Sequence, residues 1–167
     1  MLLGSNVTKD SGIDTTSLVS QLIWQQRYAE AYQLLINQPA AQTDVLYNLA
    51  LCLHWSGNDQ EALSRLQSIQ LTSQLDTAEQ RTASKEYLQI RSKQNQTADY
   101  LAGLSDAYIK SFPALTRDSI IRLKTDCWLQ LGNYDKVIAI ATPIAHKGYK
   151  NITDALQIAQ TSNGQRI

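Results

Sequence analysis

Few side chains in this sequence could serve as a soft metal ligand, a nucleophile or a proton carrier near neutral pH: Cys52, Cys127, His54 and His146. Neither cysteine belongs to a Cys-x2-Cys or Cys/His cluster, the spacing that lets a short stretch of chain close around a metal ion. The two histidines stand 92 positions apart, and neither has an acid three or four residues away with which to share a proton or a metal. Glycine-rich phosphate loops, H-E-x-x-H and G-x-S-x-G are all absent from the chain. The expectation is therefore a non-catalytic protein with no cofactor and no metal, its cysteines acting as small buried hydrophobes.

Charge points the same way. Lys+Arg and Asp+Glu both number 15, so no net positive field draws the chain to nucleic acid or anionic lipid. No run approaches the roughly 18 apolar residues of a membrane span, and Met1 to Asp10 lacks the basic and apolar regions of a signal peptide. A cytoplasmic protein that avoids membranes is expected, with residues 1–12 as a flexible arm.

Three prolines and seven glycines in 167 residues are too few for a sandwich that turns every dozen residues, so the chain reads as all-helical. The clearest pattern runs from Thr43 to Leu71. Leu46, Leu49, Ala50 and Leu53 share one helical face; Gly57-Asn58-Asp59 interrupts it; Ala62, Leu63, Leu66 and Ile69 begin a second face. Ala50 and Ala62 are small where two antiparallel helices would approach most closely, and the leucines fill the space around them. Gly57 stands where the first helix needs a left-handed cap, which glycine adopts at little cost.

This arrangement, with its Tyr47-Asn48-Leu49-Ala50 run, resembles the tetratricopeptide repeat. A second copy is read upstream within 13–39, from Leu18, Val19 and Leu22 to Ala31, Leu34 and Leu35, with a turn at Gln26-Arg27-Tyr28; Ala31 and Ala62 are 31 positions apart, near the usual spacing of about 34. A third occupies 118–146, with Trp128, a Gly132-Asn133-Tyr134 turn, Val137 and Ile144, although Lys124 stands where an apolar residue is expected. The interval 77–112 reads as a degenerate pair with its turn at Gln94 to Thr97 and a second helix over Ala98 to Ser111. A capping helix is expected over 151–160 and a frayed end over 163–167. The resemblance thus implies a right-handed α-solenoid of antiparallel helix pairs, three to four repeats long, spanning 13–162. Cys52 and Cys127 fall at equivalent places in repeats too far apart for a disulfide, whose Cα atoms must lie within about 7 Å.

The resemblance also implies a function. First-helix residues that stay out of the core line the concave side of such a stack, where family members hold peptides. Here those candidates are Ile23, Trp24, Asp44, Tyr47, Asn48, Leu51, His54, Trp55, Arg122 and Asp126, an aromatic and largely apolar set. Members that grip a C-terminal carboxylate use Lys and Asn in the first repeat, where this chain has Thr16 and Ser20; only Asn48 has a matching place. Recognition of a protein or peptide by apolar and hydrogen-bonded contact is expected instead of anion capture. A self-associating subunit that forms a homo-oligomer is the alternative within this class, and an enzyme using His54 or His146 beside an acid is the alternative outside it.

Overall fold

The computed structural model describes residues 14–71 and 83–165. Within them all regular structure is helical: α1 (Thr15–Trp24), α2 (Tyr28–Leu35), α3 (Thr43–Trp55), α4 (Asp59–Gln67), α5 (Lys85–Gln94), α6 (Asp106–Ser111), α7 (Pro113–Gln130), α8 (Tyr134–Ala141) and α9 (Lys150–Gly164). Short 3-10 turns cover Asp99–Ala102 and Thr142–Lys147. The expected arm at 1–12, the start of the 77–112 pair and the last two residues lie outside the described residues.

Three links recur with one geometry. Between α1 and α2, α3 and α4, and α7 and α8, the middle residue has positive φ: Gln26 at 61°, Gly57 at 83° and Gly132 at 68°. In each, the residue after it sends its N–H back five positions: Arg27 to Leu22, Asn58 to Leu53 and Asn133 to Trp128, at 2.8, 2.9 and 3.0 Å. These bonds satisfy carbonyls orphaned at the helix end and reverse the chain at once. Asn58 and Asn133 then cap the next helix, accepting from the N–H of Glu61 and Lys136. Gln26 does the same work as the two glycines while carrying a side chain.

Helices succeed one another as neighbours: α1 packs on α2, α2 on α3, α3 on α4, α7 on α8 and α8 on α9. Ala31, Ala50 and Ala62 are fully buried, each on a helix that packs against its neighbour. Leu63 and Leu66 close the space between them, and each such buried leucine contributes about 1.5–3 kcal/mol. Lys124, at its unexpected place, is half-buried, and desolvation pushes its pKa down.

The stretch after α4 departs from expectation. α4 packs directly against α7, so 83–112 is not a further pair inserted between them. The helix expected over Ala98 to Ser111 is instead a 3-10 turn, a break at Gly103 to Ser105 and the short α6, which contacts α3 and α7. Gly103 breaks the helix with φ of 90°, and Ser105 restarts it by accepting the N–H of Tyr108. At the far end, α9 runs beyond the expected 151–160 to Gly164, where Asn163 donates to Asp135 at 3.0 Å.

Candidate functional site

One face of α1, α3 and α7 holds residues 97–104 of the same chain. Tyr47 and Asn48 lie side by side on α3, and both grip backbone. The Asn48 amide donates to the Leu104 carbonyl at 2.8 Å and accepts the Leu104 N–H at 2.9 Å. The Tyr47 hydroxyl donates to the Tyr100 carbonyl at 2.5 Å. Between those anchors, Gly103 comes so close that a Cβ there would lie 3.2 Å from Asn48 Oδ1 and 3.4 Å from Ile23 Cγ2. Glycine is needed here twice over, for its positive φ and for the approach.

α7 supplies the other anchor. Arg122 is 2% exposed, and its three nitrogens donate to Asp99 Oδ1 at 2.7 Å, the Thr97 carbonyl at 2.8 Å and Asn151 Oδ1 at 2.9 Å. Its guanidinium lies between the rings of Tyr100 and Tyr149, 4.1 and 4.4 Å from their centroids. A buried cation is tolerable when every N–H finds a partner and aromatic faces replace water. Asp126 accepts from the Tyr100 hydroxyl and from Asn151. Burial pushes the Asp126 carboxyl up against the lowering effect of those two hydrogen bonds, and burial followed by Asp126 drives the Tyr100 phenol well above its usual value.

The structure thus brings Ile23, Asn48, Tyr47, Arg122 and Asp126 together around a segment of the chain itself, in place of a solvent-filled groove. Ile23, Tyr47, Asn48, Leu51 and Arg122 are buried, as is Asp44, whose carboxyl is raised chiefly by desolvation. Tyr47→Ala therefore tests the core before it tests a partner. Only Trp24 and Trp55 stand well out, 76% and 65% exposed, and Trp55 stacks on Tyr28 at 4.8 Å. Tyr100, Asn151 and Tyr149 escape sequence reasoning because nothing in their spacing marks them. They meet Arg122 only through tertiary packing.

A second cluster gathers two of the four cysteines and histidines, His54 and Cys127, and adds an acid, Asp59. His54 has no carboxylate three or four residues on, yet Asp59, five on across the Gly57 turn, meets its Nδ1 through Oδ1. Cys127 of α7 brings Sγ to 3.7 Å from the same nitrogen. Cys127 is fully buried, and burial followed by Asp59 and Asp126 pushes its thiol up. His54 and Asp59 line a cleft of ≈ 380 Å3 with Tyr28, Leu51, Trp55, Leu101 and Gln130. Cys52 is buried and free, its thiol pushed by burial up to about 11, and His146 is exposed.

No helix among the described residues is long and apolar enough to cross a membrane. The chain matches no model of a known protein family, no curated protein and no solved structure.

Proposed function

We propose that this chain is a non-catalytic protein- or peptide-binding module, a right-handed α-solenoid of tetratricopeptide type whose concave side carries Tyr47, Asn48, Arg122 and Asp126. The carrying observation is the double hydrogen bond between Asn48 and the backbone of Leu104. A side chain that satisfies both the N–H and the C=O of one residue recognises peptide as peptide, with neighbouring contacts supplying the sequence preference. The cis segment defines the ligand chemistry: a short stretch with a tyrosine for the slot beside Arg122, a glycine against Ile23 and a leucine at Asn48.

A partner that presents this pattern competes with residues 97–104 for one site. Gly103→Ala is the variant that weakens the cis segment while leaving every receptor residue unchanged, because the added Cβ crowds Asn48 and Ile23 and the backbone is left-handed there. A fluorescent peptide of sequence 97–104 should bind folded Gly103→Ala protein at concentrations up to about 1 mM, the effective concentration of a tethered segment. It should bind the parent protein far more weakly, and adding Asn48→Ala should abolish binding. Failure of a well-folded Gly103→Ala protein to take up the peptide at all would sink the proposal.

A further inference from the structure

We propose that His54, Asp59 and Cys127 form a three-ligand site for a zinc-class divalent cation, with a fourth coordination position facing the cleft beside Trp55 and Gln130. Among the described residues this is the one group of three His, Cys, Asp or Glu donors close enough to share an ion: Nδ1, Oδ1 and Sγ all lie within 4.8 Å of one another. Around a tetrahedral zinc, with Zn–S near 2.3 Å and Zn–N near 2.0–2.1 Å, sulfur and nitrogen stand roughly 3.5 Å apart. Cys127 Sγ and His54 Nδ1 are separated by 3.7 Å. Mixed nitrogen, oxygen and thiolate donors suit zinc or cobalt and suit magnesium or calcium poorly.

The donors converge from three elements. His54 stands in the last turn of α3, Asp59 opens α4, and Cys127 lies on α7, which packs against both. The tight Gly57 turn sets the first two opposite each other, and the direct α4–α7 contact delivers the third. Asp59 is only 6% exposed, and among the described residues it pairs with the imidazole of His54. A buried carboxylate needs a compensating positive charge, which a divalent cation would supply to the whole group. Asp59 and Asp126 also place negative charge around the sulfur. On binding, the Cys127 thiol gives its proton to solvent as the metal–sulfur bond forms, since a coordinated thiol is deprotonated outright. His54 and Asp59 border the open cleft, which leaves room for a water on the remaining face.

Cobalt(II) reports the site directly, because thiolate and tetrahedral coordination each give a distinct absorption band. Metal-free full-length protein titrated with cobalt(II) should develop a thiolate-to-cobalt band that saturates at one equivalent and is bleached by zinc. Cys127→Ser should lose that band, whereas Cys52→Ser should keep it, since the second thiol lies outside the cluster. His54→Gln and Asp59→Asn, judged folded by circular dichroism, should weaken binding by more than the roughly 10–100-fold that losing an outer-shell partner costs. A titration with no thiolate band at millimolar cobalt overturns the proposal. So does a band that survives Cys127→Ser, or one that disappears with Cys52→Ser instead. Should Cys127→Ser fail to fold, the His54 and Asp59 variants decide: undiminished affinity in both rejects the site.

Discussion

The α3–α4 pair and the stretch 83–112 that follows it are ordered by different balances of apolar burial and polar contact. In α3 every residue from Asp44 to Cys52 is buried, and α4 adds Ala62, Leu63 and Leu66. α5 buries nothing, leaving Tyr87, Leu88 and Ile90 exposed. What holds the stretch is a set of polar pins, joined by the burial of Tyr100 and Leu104 in the main core. Asn95 donates to the Lys147 carbonyl and its own carbonyl accepts from Lys150, both at 2.9 Å, Arg91 reaches Asp99, and Asn48, Tyr47 and Arg122 fix residues 97–104. Apolar packing spreads stability over many contacts, whereas pins concentrate it. One pin lost should therefore cost far more than its surface area suggests, whichever side of the contact supplies it.

Arg122→Ala should give the largest effect, about 3–5 kcal/mol by urea unfolding, because it strips a buried hydrogen-bonded cation from Asp99 and Asn151 together. A loss under about 1 kcal/mol would break the contrast. Asn48→Ala should follow at about 1–3 kcal/mol, since it leaves the buried N–H and C=O of Leu104 unpaired. Hydrogen exchange sharpens this expectation: the Leu104 amide should lose protection while amides of α4 keep theirs. Gln26→Gly, in the α1–α2 link that repeats the turn of the packed pair, should stabilise by about 0.5–1 kcal/mol, read as a raised Tm, because the first turn then meets its left-handed φ as the other two do. Ile90→Ser should move stability by no more than about 0.5 kcal/mol, as α5 buries no apolar face. A larger drop would show that α5 is held by more than its pins.

What the sequence disclosed follows the same division. Leucine and alanine periodicity with a glycine cap reports on a helix pair whose contacts are local, so Thr43 to Leu71 could be read directly. In 83–112 the decisive partners of Tyr100, Asp99 and Leu104 are Asp126, Arg122 and Asn48, which lie far off in the chain. No periodicity encodes that. The resemblance to the tetratricopeptide repeat is what groups Ile23, Tyr47, Asn48, Arg122 and Asp126, which lie on three separate helices, and no motif announces the chain segment they surround. Helical spacings of three and four from His54 reach Gly57 and Asn58, and hold no acid. The histidine's acid sits across a turn, at five, a distance set by loop geometry instead of by helix geometry.

The direct α4–α7 contact bears on how the molecule comes together in time. α1 through α4 and α7 through α9 each contain neighbours close in sequence, and such contacts form fast. Joining the two blocks requires closing the long excursion between Leu71 and Pro113, whose entropic cost precedes any reward. Refolding should accordingly be biphasic in a variant that keeps Trp128 alone among its tryptophans, since Trp128 lies on α7 and packs on the core shared with α4. The slow phase should lengthen when residues are added to the excursion and be unmoved by Gln26→Gly. Residues 97–104 would then be laid down last, closing a seam between two blocks already built.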